Sequence, residues 1–152
     1  MTVTQVKAVR QTIEEFREML GAWRIKFRIY KRGGEFYFKV YTPAEGWMEF
    51  HPPDWLLTDT ARKVARTVER VIAAYLSSRL GWKQSLPLSV ASGVALRGRN
   101  VGLHLRVVSP TEIQIEVYDP KFERLVASTT TNKVTPRELL RLSRQIDALS
   151  GV

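Results

Sequence analysis

The feature that most constrains the fold of this chain is a strict alternation of apolar and polar residues between positions 23 and 41. Successive side chains on a β-strand point to opposite faces, so the alternation predicts two strands with one apolar and one polar face. The turn Lys31-Arg32-Gly33-Gly34 separates them, because adjacent glycines supply the positive φ angles that a tight hairpin needs. The inner face should consist of Trp23, Ile25, Phe27, Ile29, Phe36, Phe38 and Val40.

Two helices and a third strand are predicted around this hairpin. Apolar residues spaced by three and four indicate a helix over 4–20 that ends at Gly21 and a second over 59–79 that is capped by Thr58. A short strand over 47–51 follows the turn 42–46. We expect the helices to bury the inner face and to leave the polar face in solvent.

The same order of elements recurs in the second half of the chain. Alternating segments near 103–108 and 113–118, and a third over about 123–129, precede a helix that Thr135 and Pro136 open and that Glu138 completes as a capping box. Residues 38–43 align with 115–120, at an offset of 77. The chain is therefore predicted to be α+β, with a duplicated β-β-β-α unit, an antiparallel sheet with helices on one face, and an extra N-terminal helix.

The predicted organisation is one compact domain built by internal duplication. Its parts are residues 1–80 (helix plus first unit), a connecting segment over 81–100, and residues 101–152 (second unit). The connecting segment either serves only as a link or adds a strand around Leu88–Leu96.

Positive charge is concentrated on the first hairpin. The chain has a net charge of +9. Residues 23–41 hold six basic residues and one acidic residue, a net charge of +5. Residues 1–80 as a whole also have a net charge of +5, so the rest of that half is neutral. Such concentration is typical of nucleic-acid-binding proteins.

The polar face of the hairpin combines cations with tyrosines. Cations neutralise phosphates, and aromatic rings stack on unpaired bases, so this face predicts binding of single-stranded DNA or RNA. The equivalent face of the second unit is nearly neutral. The loop Arg97-Gly98-Arg99-Asn100 would extend the basic track. The predicted binding residues are Arg24, Lys26, Arg28, Tyr30, Lys31, Arg32, Tyr37, Lys39, Tyr41, Arg97 and Arg99.

Two other interpretations of this face stay open. It could be an ordinary solvated face whose aromatics fill cross-strand pairs. It could also belong to a protein-interaction or particle-assembly module that joins a partner or forms a homodimer, since exposed Tyr and Arg are enriched at interfaces. The basic residues of the helix over 59–79 could likewise bind phosphates or form an ordinary solvated face.

Most enzyme classes lack the residues they need. The chain has no cysteine and only two histidines, far apart, and it contains no glycine-rich phosphate loop with a Lys-Ser/Thr pair. The carboxylates do not show the spacing of a metal-dependent nuclease. We therefore expect a non-enzymatic protein without cofactor or metal. Without an apolar run of roughly 18–20 residues, we expect a cytoplasmic protein and no membrane partner. The Cys-free, Arg-rich composition would suit a thermophile.

The predicted order of strands and helices resembles that of known nucleic-acid-binding families. Antiparallel strands followed by a helix, present twice, resemble the Whirly and PUR-repeat single-stranded nucleic-acid-binding proteins, which use four strands per unit where three are predicted here. The stretch 4–79 also resembles the Alu-RNA-binding proteins of the signal recognition particle. The basic sheet face of those proteins would correspond to Arg24, Lys26, Arg28 and Lys39.

Overall fold

The computed structural model describes residues 3–52, 55–85 and 92–152 and is α+β, with three helices and two antiparallel sheets. The helices are α1 (Val3–Ala22), α2 (Asp59–Leu80) and α3 (Pro136–Ser150). Sheet 1 contains β1 (Phe27–Arg32), β2 (Glu35–Thr42) and β3 (Gly46–Phe50). Sheet 2 contains β4 (Lys83–Gln84), β5 (Val94–Arg97), β6 (Gly102–Ser109), β7 (Glu112–Tyr118) and β8 (Leu125–Thr131). This confirms the predicted fold class.

The chain forms two compact units that divide inside α2. The first unit is Met1–Val68 and the second is Glu69–Val152. The boundaries predicted at residues 80 and 100 are not tested by this division and stay predictions.

Sheet 1 has the predicted hairpin with a two-residue loop. Arg32 pairs with Glu35, and Gly33 and Gly34 between them have φ angles of 60° and 82°. Any L-residue with a side chain would be strained at both positions, which is why this loop needs adjacent glycines. The next turn brings Thr42 opposite Gly46, whose φ is 74°.

Helix α1 packs on the inner face of sheet 1 through aromatic contacts. The Phe16 ring lies 4.6 Å from the ring of Phe38, 5.3 Å from Phe50 and 4.7 Å from Trp55. Phe16, Phe38 and Val40 are fully buried. Full burial of such an aliphatic or aromatic side chain contributes about 1.5–3 kcal/mol, so this cluster fixes which face of the hairpin is solvent-exposed.

The end of α1 differs from the prediction. Gly21 lies inside the helix, which continues to Ala22, and β1 begins at Phe27 instead of Trp23. The amide of Ile25 donates to the Leu20 carbonyl (2.9 Å), and that of Arg24 donates to the Gly21 carbonyl (3.1 Å). These are the two bonds of a Schellman motif, with Arg24 in the left-handed position (φ 55°) that glycine usually takes. The alternating residues 23–25 therefore belong to the terminus of a helix and not to a strand.

Helix α2 begins as the sequence predicts. The Ala61 amide donates to Thr58 Oγ1 at 3.1 Å, which satisfies one of the free donors of the first turn. At α3, Thr135 is the N-cap and Pro136 follows it, but the Thr135 side chain forms no cap hydrogen bond. The predicted side-chain cap of α3 is therefore wrong, although the helix starts where predicted.

Sheet 2 contains more than the predicted unit. The order β4-β5-β6-β7-β8 places two further strands beside the meander β6-β7-β8. The strand expected around Leu88–Leu96 is present as β5 from Val94 onward, whereas residues 88–91 lie outside the described part of the chain. Each sheet contains a three-strand antiparallel meander that precedes a helix, which is compatible with a duplication. The single predicted sheet is replaced by sheets of three and five strands, and neither has the four of the Whirly and PUR-repeat families.

Candidate nucleic-acid interface

The residues of interest share the solvent-facing side of sheet 1, here called the outer face. The cross-strand register pairs Arg28 with Lys39 and Lys39 with Glu49, Tyr30 with Tyr37, and Tyr41 with Trp47. The Tyr41 amide donates to the Lys26 carbonyl (3.0 Å), which places Lys26 opposite Tyr41. The outer face is thus made of Lys26, Arg28, Tyr30, Arg32, Glu35, Tyr37, Lys39, Tyr41, Trp47 and Glu49.

The predicted phase of the alternation is confirmed. Lys26 and Arg28 are exposed, whereas Phe38 and Val40 are fully buried. The inner face is less buried than predicted near β1 and the hairpin tip, where Phe27, Ile29 and Phe36 are half-buried. On the outer face, Tyr37 was expected to be exposed and is half-buried instead. β1 is an edge strand, so its inner side chains have a neighbouring strand on one side only.

Each of the four cations on the outer face lies beside an aromatic ring. Arg28 Cζ is 5.3 Å from the Trp47 ring centroid, and Lys26 Nζ is 5.9 Å from that of Tyr41. Lys39 Nζ is 5.6 Å from Tyr30, and Arg32 Cζ is 4.6 Å from Tyr37. Contacts of this kind stabilise by about 0.5–1 kcal/mol at exposed sites. They hold the charged groups close to the ring planes.

The rings form two groups on this face. The Tyr30 and Tyr37 rings are stacked at 5.7 Å with an interplanar angle of 20°, and His51 lies 4.9 Å beyond Tyr37. Tyr41 and Trp47 meet edge to face at 5.7 Å. Tyr41 is 41% and Trp47 46% exposed, so the second group presents the more accessible surface.

Sequence reasoning did not place Trp47 and Glu49 on this face or His51 beside it. The phase of the third strand could not be fixed across the turn after Thr42. Gly46 was the available signal, because a glycine with positive φ at this point starts β3 in the register that pairs Trp47 with Tyr41.

The outer face contains two carboxylates, Glu35 from the hairpin and Glu49 from β3. Arg32 forms an ion pair with Glu49 (3.2 Å), and the Tyr30 hydroxyl donates to the other oxygen of Glu49. This hydrogen bond is the main reason that the pKa of Tyr30 is raised above 10.0. Glu35 accepts a hydrogen bond from the Tyr37 hydroxyl (3.2 Å). With four cations and two carboxylates the outer face carries a net +2 instead of +5.

Three of the cations keep their charge available. Lys26, Arg28 and Lys39 form no ion pair with any other residue in the described part of the chain. Lys26 and Arg28 are also exposed, so both can reach a phosphate.

Two predicted binding residues of the first unit, Arg24 and Lys31, do not lie on the outer face. Arg24 belongs to the turn that ends α1. Lys31 pairs with Phe36 on the opposite side of the sheet, and its Nζ lies 5.5 Å from the Phe36 ring. The phase of the alternation separates Lys31 from the other cations, whereas Arg24 is separated from them because it precedes the strand.

Arg97 and Arg99 belong to the second unit. Both are exposed, Arg97 at the end of β5 and Arg99 in the turn that follows. The extension of the basic track to these residues stays a prediction.

The face of sheet 2 that corresponds to the outer face is partly closed. His104 is buried, with Nδ1 at 2.7 Å from Glu116 and Nε2 at 2.8 Å from the Ser92 carbonyl. The Phe122 ring lies against Gly102, where a Cβ atom would come within 2.6 Å of the ring. Arg106 bonds to Gln114. These contacts leave little open surface around His104.

The first basic residues of α2 have acidic partners. Lys63 pairs with Glu45 at 2.9 Å, and Arg62 with Asp59 at 3.6 Å. No group of three or more His, Asp or Glu residues within 3–52, 55–85 and 92–152 is arranged to hold a metal ion. In the described segments, no helix is both long and apolar enough to cross a bilayer.

Comparison with protein-family models, with curated proteins and with solved structures finds no significant match for this chain. The function must therefore be argued from the geometry of the outer face.

Proposed function

We propose that this protein binds single-stranded nucleic acid on the outer face of sheet 1 and that it acts without catalysis. One observation carries the proposal: Lys26, Arg28 and Lys39, none of them in an ion pair with a described residue, lie beside aromatic rings on one open sheet face. Cations for phosphates and aromatic rings for bases thus lie side by side on one surface.

Each kind of group has a separate role. The cations neutralise phosphates and release condensed counterions, which makes the binding free energy depend on salt. Tyr41 and Trp47 offer exposed rings on which unpaired bases stack, at about 1–3 kcal/mol per base. Bases in a duplex are already stacked on each other, so the rings favour single strands.

A titration of labelled single-stranded and duplex oligonucleotides at about 50 mM salt tests the proposal, because even non-specific basic proteins bind under such conditions. Arg28→Ala removes a cation from the outer face, whereas Lys31→Ala removes one from the same hairpin but from the opposite side of the sheet. We expect Arg28→Ala to weaken binding to all sequences about equally and Lys31→Ala to leave it nearly unchanged.

Comparing Arg28→Ala with Lys31→Ala separates an effect of the outer face from an effect of overall charge. Equal losses in both variants would mean that overall charge drives binding, which would contradict the proposal. If the wild type bound no oligonucleotide, the alternative of a protein-interaction module would replace it.

A further inference from the structure

Strand β8 forms an exposed edge of sheet 2. It is the last strand in the order β4-β5-β6-β7-β8, so no strand of the described residues lies beside its second edge. An edge strand presents a row of backbone N–H and C=O groups that can pair with another strand. Residues 125–130 are exposed, including Leu125 (48%) and Val126 (65%). A strand normally buries at least one face, and β8 buries neither.

The other edges in the described part of the chain carry features that discourage pairing. β1 contains Arg28, Lys31 and Arg32, β3 contains Glu49 and is followed by Pro52, and β4 is two residues long and includes Lys83. Charges, prolines and very short strands are the usual means of protecting an edge. The sequence of β8 is Leu-Val-Ala-Ser-Thr-Thr-Thr, which contains none of them.

We propose that β8 is a self-association edge, where two copies of this chain pair their β8 strands antiparallel about a twofold axis near Ser128. The occupant is a second copy because a twofold contact uses the same patch on both chains, and this patch is self-complementary. Its seven residues are uncharged, so two chains of net charge +9 meet without like charges at the contact.

The side chains of the strand are compatible with this register. Pairing centred on Ser128 sets residues 125–131 of one copy against residues 131–125 of the other. Leu125, Val126 and Ala127 of one copy then lie opposite Thr131, Thr130 and Thr129 of the other, and the two Ser128 residues meet at the axis. β-branched side chains suit such cross-strand positions, and Val126 and Thr130 form a pair of this kind.

The test is the mass of the wild-type protein in solution as a function of concentration, compared with that of Ser128→Lys and Ser78→Lys. Ser128 lies opposite Glu116 of β7, so the lysine has an acidic neighbour within its own chain and the fold should tolerate it. In the dimer, however, two lysines would meet at the axis. Ser78→Lys adds the same charge at an exposed position of α2.

We expect the wild type and Ser78→Lys to be dimers at micromolar concentration and Ser128→Lys to be a monomer with unchanged circular dichroism. The chain has no cysteine, so a Ser128→Cys variant can form only an intermolecular disulfide. Mild oxidation should link it, whereas Ser78→Cys should stay mostly unlinked. A monomeric wild type, or a Ser128→Lys variant that still dimerises, would overturn the proposal.

Discussion

Tyr30 and Arg32 share the carboxylate of Glu49, which connects the end of β1 to β3 across the central strand. The arrangement limits Arg32 as a phosphate ligand, because an anion must compete with Glu49 for it. It also holds Tyr30 against Tyr37, so that the stacked pair stays on the outer face. One acidic residue therefore orders one end of this face while it reduces the charge there.

The pKa of Tyr30 provides a direct check of this contact. Its hydrogen bond to Glu49 raises the pKa above 10.0, so the protonated phenol is favoured in the folded chain. Its contribution to stability is complete below the ordinary value and is lost as pH rises through the raised one. In a tyrosine-resolved NMR titration we expect Glu49→Gln to lower the pKa of Tyr30 and to leave the raised pKa of Tyr118 unchanged, since burial is the main cause there. If Glu49→Gln left the pKa of Tyr30 where it was, the contact would be refuted.

Trp47 is predicted to contribute by stacking. Trp47→Ala should weaken single-strand binding by about 1–3 kcal/mol without changing its salt dependence, because stacking releases no counterions. Trp47→Phe retains a ring and should lose less. The tryptophan is 46% exposed, so the free energy of unfolding should change little in either variant. A loss in Trp47→Ala that varied with salt would instead indicate displacement of Arg28, whose guanidinium lies beside this ring.

At the scale of elements, the hairpin was the most predictable part of the fold because its determinants are local. Alternation sets the faces, and Gly33-Gly34 sets the turn and therefore the register. The terminus of α1 was less predictable because Arg24 takes a left-handed conformation that glycine normally occupies. Strand β4 could not be inferred from local pattern because it has only two residues, whereas β5 falls partly in the segment around Leu88–Leu96 where a strand was one of two alternatives.

Glu69 connects α2 to β6 through a hydrogen bond that no local sequence pattern reveals. It is buried on α2, and its Oε2 accepts the Val107 amide at 2.8 Å, next to the bulge between Val107 and Ser109 of β6. Glu69→Ala would leave this donor without its carboxylate partner. A buried group left unsatisfied costs about 1–3 kcal/mol, so we expect urea denaturation to show a loss of that size.

The control for this variant is Glu18→Ala, which removes an exposed glutamate from α1 and should change the free energy of unfolding little. Glu69→Gln retains an acceptor oxygen and should lie between the two. Equal stability of Glu69→Ala and Glu18→Ala would show that the Val107 contact contributes nothing.

At the scale of the whole molecule, the fold class and the polarity of the hairpin were predictable, whereas the charge of the candidate site was not. Residues 23–41 alone gave a net +5. The final value of +2 depends on Glu49, which joins the face through β3, on Lys31, which the register places on the other side, and on Arg24, which lies in the turn that ends α1. Charge on a sheet is a property of the assembled strands, so a count along one hairpin overestimates it.

The salt dependence of oligonucleotide binding tests the central claim most directly. Lys26, Arg28 and Lys39, with Arg32 as a fourth when it leaves Glu49, supply three or four phosphate contacts. At about −0.7 per contact for single strands, log K should fall with log salt concentration at a slope of about −2 to −3, and Arg28→Ala should make it shallower by about 0.7. A wild-type slope near zero, or no binding at about 50 mM salt, would contradict the claim that the outer face of sheet 1 binds nucleic acid.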